Sequence, residues 1–288
     1  MTIFCLGSIN ADHFYDVPHI PAPGETLASH NYRMGLGGKG ANQSVAASQA
    51  GSGVVHIGAV GGDGAWAVER LAEFGINTEF IATVDDVTAH AIINVGADGE
   101  NAIVLYPGAN MMQSVDAIQA ALRHSRPGDR LILQNEASLQ VEAAQMARQA
   151  GLQVIYSAAP FETAAVQAIL PFVDILAVNE GEAAQLSGAL DTELADLPVE
   201  GVLVTRGSEG ADYVAQGGVT HVEAHKVVPV DTTGAGDTFL GYFVAGLDQG
   251  LGLGAAMKLA SAASALQVMR PGTADAIPSR NEVEAFSV

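Results

Sequence analysis

Asp231-Thr232-Thr233-Gly234-Ala235-Gly236-Asp237-Thr238-Phe239 places two glycines and a carboxylate at a strand-to-helix turn. Gly234 and Gly236 let the backbone turn tightly, so the first N–H groups of the following helix point outward as an anion site. Asp237 beside them is positioned to take a proton from an attacking hydroxyl. Phosphoryl transfer needs that pairing: donors for charge on the phosphoryl oxygens, and a base that orients the nucleophile. The same residues also suit an ordinary glycine-rich turn with Asp237 as a helix cap, and spacing alone does not separate the two.

Gly37-Gly38-Lys39-Gly40-Ala41-Asn42 opens a second helix. It is not a Walker loop, because Lys39 lacks the following Ser or Thr at the required glycine spacing, and it is not a dinucleotide fingerprint. Its glycines let backbone lie close to a ligand, and Lys39 and Asn42 are donors for sugar oxygens. Asn10 and Asp12 follow the first strand. An amide and a carboxylate together suit a polyhydroxyl ligand, although Asx caps of a turn look the same. Asn179 and Glu182 share a helix's first turn, where they could hold the waters of a Mg²⁺ ion or cap the helix. The eight histidines form no metal set. His221 and His225 are four apart but lie in a β-rich run, where that spacing does not converge as on a helix. No nucleophile elbow is present.

Composition bounds the class of protein that carries these residues. The chain has 288 residues, 49% hydrophobic and 15% charged, enough for a large α/β core. A net charge of −20 argues against binding nucleic acid or an anionic membrane through a general field. It still permits an anionic substrate at a local cluster of N–H groups and cations. Cys5 is the sole cysteine, so no internal disulfide forms, and its place in Ile3-Phe4-Cys5-Leu6 reads as a buried strand position. No signal peptide and no membrane span are expected, so a cytoplasmic location is the default.

Positioning the motifs requires a particular order of elements. A strand over 2–7 leads to hairpin-like residues 13–36, then a helix over 41–50, a strand over 54–60 and a helix over about 64–74. Residues 88–95 and 102–106 flank Asp98-Gly99, a hairpin signal. Strands at 130–134, 152–156, 174–178 and 201–205 then alternate with helices at 139–150, 162–169 and 180–187. That alternation predicts a parallel sheet covered on both faces. A β-rich stretch at 211–230 precedes helices at 235–248 and 253–269 and a short one after Pro278. The reading is a doubly wound, mostly parallel α/β domain over 1–288. A small antiparallel sheet, inserted from about 11–36 and 85–108, would pair with itself over the mouth of the body.

Together these motifs resemble the ribokinase (phosphofructokinase B type) family of carbohydrate kinases, over nearly the whole chain from Gly7 to Pro278. Gly7-Ser8-Ile9-Asn10-Ala11-Asp12-His13, Pro23-Gly24-Glu25-Thr26 and the Gly37–Gln43 run are similar to its sugar-side signature. The Asp231–Phe239 run is similar to its second signature. The resemblance implies Asp237 as catalytic base, with Gly234, Ala235 and Gly236 in the anion hole. It implies sugar contacts from Asn10, Asp12, Gly38, Lys39, Asn42 and Glu136. Nucleotide contacts fall on Asn179, Thr205, Arg206, Gly207, Ser208, Glu209, Gly210, Gly236 and Ser261. Asn179 and Glu182 match a motif linked to Mg²⁺. Asp231, Thr233 and the carbonyls of Gln267, Arg270 and Gly272 match a monovalent-cation site, most simply for K⁺. The inserted sheet matches a lid that often builds a homodimer.

Two features depart from the family pattern. Tyr156-Ser157-Ala158-Ala159-Pro160 stands where Asn-Pro-Ala-Pro is usual, and Ser157 is too short to make the same hydrogen bond. Asp191–Pro198 is short for a helical crossover and would leave one face of the sheet thinly covered. The leading expectation is ATP-dependent phosphorylation of a small sugar at a primary hydroxyl, D-ribose first. The alternatives are another sugar, a deoxysugar or a nucleoside, with His90, Ala91, Tyr106 and Ser157 as the positions that would decide. A non-catalytic sugar sensor on the same scaffold is the reading from another class.

Overall fold

The computed structural model describes residues 1–98 and 100–286. The strands are β1 (Thr2–Leu6), β2 (Asn10–Val17), β3 (Asn31–Gly37), β4 (Gly53–Val60), β5 (Asn77–Thr83), β6 (Ala89–Gly96) and β7 (Asn101–Tyr106). They continue with β8 (Arg130–Gln134), β9 (Gln153–Ser157), β10 (Ile175–Asn179), β11 (Gly201–Thr205), β12 (Ala211–Ala215) and β13 (Gly218–Val222). The helices are α1 (Lys39–Gln49), α2 (Ala65–Glu73), α3 (Val115–Leu122), α4 (Gln140–Gln149) and α5 (Thr163–Ile169). The last four are α6 (Glu180–Leu190), α7 (Ala235–Asp248), α8 (Leu253–Gln267) and α9 (Arg280–Phe286).

Among the described residues the main sheet runs β13-β12-β11-β10-β9-β8-β1-β4-β5. It is parallel from β11 to β5, and β12 and β13 add an antiparallel edge. Its central strands are apolar on both faces, as a sheet buried on both sides requires. In β1, Ile3 and Cys5 join the core shared with α1, α2, α7 and α8, while Phe4 and Leu6 join the core shared with α3 to α6. The chain builds outward from β1 in both directions. The switch point therefore falls between β1 and β8, where the carboxyl ends of strands open a crevice.

The second sheet, β3-β2-β6-β7, joins the two inserted stretches. β2 pairs β6 in parallel from Asn10↔Ala89 to Val17↔Gly96, and β3 and β7 flank them antiparallel. The expected hairpin turn includes Gly99, which lies outside the described residues. The sheet's small apolar cluster is Phe14, Ala91 and Ile93, with the Arg33 guanidinium 3.6 Å above the Phe14 ring.

The sequence expectations need two corrections. The crossover between β10 and β11 is α6 itself, and the short segment after it does not leave the sheet bare. Leu197 is buried, and Leu194 and Val199 pack on the same core. The β-rich stretch ends at Val222, and residues 223–230 run without regular structure, with Val228 and Val230 exposed. Among the described residues no helix is long and apolar enough to cross a membrane.

Candidate active site

The crevice at the switch point gathers residues from three strand ends and two helix starts. β1 runs out through Gly7 and Ser8 into β2, which carries Asn10 and Asp12. Ser8 Oγ donates to Glu136 Oε2 at 2.6 Å, so the segments after β1 and β8 are tied across the crevice. The Lys39 N–H donates to the same oxygen at 3.1 Å, and Lys39 Nζ lies 3.6 Å from Glu136 Oε1. Glycine is required where these segments meet. A Cβ on Gly7 would sit 2.5 Å from Gly40 Cα, and one on Gly37 would sit 1.9 Å from Asp12 Oδ2. Gly38, at φ 93°, starts α1 against the Ser8 carbonyl.

Asn10 and Asp12 are both buried. Asn110 fixes Asn10: its Nδ2 donates to Asn10 Oδ1 at 2.8 Å, and its Oδ1 accepts the Ile9 N–H at 3.0 Å. The Asn10 amide N–H₂ is thus the end left for a ligand. Burial, with Glu136 nearby, pushes the Asp12 carboxyl up to about 7, although Lys39 and Arg33 oppose the rise. Burial alone would lower the Lys39 ammonium, but Asp237, Glu136 and Glu182 together hold it above its usual range. Lys39 is therefore the cation around which these carboxylates are arranged.

Asp237 occupies the first turn of α7, whose N-cap Gly234 is left-handed at φ 78°. Asn42 Nδ2 donates to Asp237 Oδ2 at 3.1 Å and Gln43 Nε2 donates to Oδ1 at 2.8 Å, so α1 holds both carboxylate oxygens. Desolvation raises the Asp237 carboxyl above the usual range, against Lys39 and these two amides. Gln43 is oriented in turn. Its Oε1 accepts Gln134 Nε2 at 2.7 Å, and the same nitrogen lies 3.4 Å from Cys5 Sγ. A carboxylate only accepts hydrogen bonds, so Gln43 must turn its N–H₂ to Asp237 and its oxygen to Gln134.

The loop before α7 is held from behind by α8. Ser264 Oγ donates to the Ala235 carbonyl at 3.0 Å, and Gln267 Nε2 donates to the Thr233 carbonyl at 2.6 Å. Holding the carbonyls back directs the N–H groups of Gly236 and Asp237 into the crevice, where a first helical turn offers them no acceptor. The Ala235 N–H turns instead to the Thr232 carbonyl at 3.2 Å.

Two cavities meet at this loop. One, of about 230 Å³, is polar and lined by Lys39, Ser157, Asn179, Glu182, Gly234 and Asp237, among others. The other, of about 280 Å³, is largely apolar and includes Thr205, Gly207, Ser208, Val227, Phe239 and Ser261 in its lining. Thr205, Thr232, Ala235 and Gly236 border both. The apolar cavity therefore suits a planar apolar group, and the smaller one, with Lys39 and the start of α7, suits a charged polar one; Asn10, Asp12, Gly38, Asn42 and Glu136 do not line it.

Other residues expected in the site have structural partners. Asn179 and Glu182 form a capping box: Asn179 Oδ1 accepts the Glu182 N–H at 2.9 Å and Glu182 Oε2 accepts the Asn179 N–H at 2.8 Å. Glu182 keeps Oε1 for another partner, and burial raises its carboxyl. Arg206 is bound to Asp212 and Glu180, each at 2.6 Å, and does not line the apolar cavity; neither does Glu209. Gly210 does line it, and Ser261 Oγ donates to the Glu223 carbonyl at 3.0 Å. Arg270 pairs with Glu282 at 2.6 Å. Asp231 accepts the N–H groups of Thr233 at 2.9 Å and Gly272 at 3.0 Å. In the second sheet, the His90 and Tyr106 rings are tilted against each other with centroids 5.4 Å apart. Ser8, Gln43, Asn110 and Gln134 were not expected in the site. Their signal is a polar residue at a fully buried position.

The pfkB family carbohydrate kinase model matches residues 2–280. The chain belongs to the pfkB family of carbohydrate kinases. It is 37% identical over 300 residues to a ribokinase of Haemophilus influenzae, covering 99% of this chain and 98% of that one. It is 32% identical over 302 residues to a deoxyribokinase of Salmonella typhimurium, covering 100% and 98%. The structure of an Arabidopsis thaliana ribokinase complexed with ribose and ATP superposes with a TM-score of 0.88 at 28% identity, covering 99% of this chain and 97% of that one. The pfkB fold thus accounts for the large mostly parallel sheet and the small second sheet together.

Proposed function

We propose that the protein transfers the γ-phosphate of ATP to the primary hydroxyl of D-ribose, giving ribose 5-phosphate. The observation that carries the reading is the position of Asp237. It lines the smaller cavity next to Gly236, which borders both cavities, and it is held between the Asn42 and Gln43 amides within the field of Lys39 and Glu136. In this reading the sugar lies among Asn10, Asp12, Gly38, Lys39, Asn42 and Glu136. Asp237 accepts the proton of the attacking hydroxyl while the Gly236 and Asp237 N–H groups take charge developing on the phosphoryl oxygens. The adenine lies in the apolar cavity between Val227, Phe239 and Ser261, and Thr205 to Gly210 border its ribose and phosphates.

The crevice holds Asp12, Glu136, Glu182 and Asp237 against Lys39 and Arg33, so a nucleotide polyphosphate enters a site already rich in negative charge. A divalent cation fits that balance, and Glu182 Oε1 with Asn179 is where Mg²⁺ and its waters would be held. When bound it supplies positive charge to the phosphate oxygens. The monovalent cation does not enter this reading, because the Thr233, Gln267 and Gly272 carbonyls at its expected place already accept hydrogen bonds. A homodimer through the lid is supported by β7, whose Ile103, Val104, Leu105 and Tyr106 are all exposed, at 44–68%. Light scattering checks it. A cytoplasmic location fits an ATP-consuming enzyme.

The test is ADP release from Mg·ATP with ribose, deoxyribose, fructose and adenosine as acceptors. Turnover confined to ribose supports the reading. Turnover confined to deoxyribose favours the second reading, for which the Salmonella deoxyribokinase is the motivating relative. Sugar binding without turnover would leave only a sensor.

A further inference from the structure

The carbonyls of Thr233, Gln267 and Gly272, at the place expected for a monovalent cation, already accept hydrogen bonds, and among the described residues the Arg270 carbonyl is the one without a donor. Gln267, at the end of α8, is completely buried. Its side-chain Nε2 lies 2.6 Å from the Thr233 carbonyl oxygen and 3.4 Å from the Gly272 carbonyl oxygen. Its own main-chain carbonyl accepts the Arg270 N–H at 3.0 Å. Asp231 completes the frame through the N–H groups of Thr233 and Gly272. A cation among these oxygens would have to displace the amide and leave a buried N–H₂ without acceptors, which costs its desolvation. The residues present do not fit the ion.

We propose that the Gln267 side-chain amide takes the cation's place, so that the loop from Asp231 to Asp237 is ordered and polarised without potassium. The amide meets both requirements of such an ion. It ties the Thr233 and Gly272 carbonyls together, as a shared ligand set would. It also brings the positive end of a dipole to the base of the anion loop, since a Cβ on Gly234 would lie 3.7 Å from Gln267 Nε2. Ser264, one turn earlier on the same face of α8, holds the Ala235 carbonyl, so the loop is anchored at two points by one helix. The dipole is weaker than an ion, but no salt concentration removes it.

Position 267 then decides whether the protein needs potassium. Gln267→Ala leaves two carbonyls facing an emptied space that an ion can enter. Gln267→Leu fills the space and offers no donor. The rate readout rests on the kinase reading, but the stability readout does not. ADP release and Tm of the wild type and both variants are measured in a tetramethylammonium buffer with and without potassium. The wild type should change by less than about twofold in rate and not at all in Tm. Gln267→Ala should lose about tenfold or more without potassium, regain it with potassium, and show a Tm that potassium raises. Gln267→Leu should be impaired in both buffers. A wild type activated or stabilised by potassium overturns the proposal, as does Gln267→Ala that ignores potassium in both readouts. If the wild type turned over no acceptor, the kinase reading would fail and the Tm comparison would still decide the role of Gln267.

Discussion

Asp12 should be a residue the fold keeps at the expense of its own stability. Burial and Glu136 push its carboxyl from 3.8 up to about 7, against the pull of Lys39 and Arg33. Below about pH 4 both folded and unfolded chains carry the proton, and no penalty arises. Between about 4 and 7 the folded chain retains a proton that the unfolded chain has lost, so stability falls as pH rises through that window. Above about 7 the full penalty applies, about 3 pH units or roughly 4 kcal/mol as an upper bound. Asp12→Asn removes the charge while keeping the shape. The ligand-free variant should gain up to about 4 kcal/mol at pH 8 and only about 1.5 kcal/mol at pH 5, while its sugar affinity falls. Urea denaturation of both proteins at the two pH values measures the gain, and calorimetry with ribose measures the loss. A variant less stable than the wild type at pH 8, or a gain that does not grow with pH, would refute the electrostatic account of Asp12.

Three further outcomes follow from contacts in and below the crevice. Asp237→Asn should lower kcat by about 10²- to 10⁴-fold, the usual worth of a general base, with ribose binding by calorimetry largely kept. Gln43→Met removes a 2.8 Å donor from the Asp237 carboxylate, which favours the neutral acid; the acidic limb of kcat/KM should move up by about one pH unit. Arg130→Ala leaves Asp248 buried without its 3.1 Å partner and should cost about 3–5 kcal/mol in urea denaturation, with little change in KM.

The architecture was legible wherever one physical signal dominated. Alternating apolar runs and helical patterns between residues 130 and 205 mark β8 to β11 and their helices, because parallel strands buried on both faces are apolar throughout. The pairing within the second sheet was legible because two hairpin-like stretches in an otherwise alternating chain have only each other as partners. β5 and α3 were not legible. β5 is a half-exposed edge strand whose Asn77, Thr78 and Glu79 carry no alternation, and α3 has only eight residues. The segment after Val222 misled for the opposite reason. Val227, Val228 and Val230 have strand-like side chains, but this stretch passes the apolar cavity, and its conformation is set by that wall.

The site divides along the same line. Gly234, Asp237, Lys39 and Asn42 lie in compact runs where glycine and a polar residue share a helix start, so local spacing reveals them. Gln43 lies in one of those runs and Gln134 and Gln267 lie elsewhere, but no local spacing names the targets of any of the three. Their trace in the sequence is the energetic one. Gln134 ends an apolar strand, and Gln267 ends a helix whose preceding turns are Ala260, Ala262 and Ala263. An amide buried beside such neighbours costs free energy unless both its ends are engaged. For Gln43 those ends are a carboxylate and another amide, whereas Gln134 and Gln267 engage their nitrogens and leave Oε1 buried without a hydrogen-bond partner among the described residues. Each orients a backbone or side-chain group beside the crevice, and the proposed chemistry rests on that positioning.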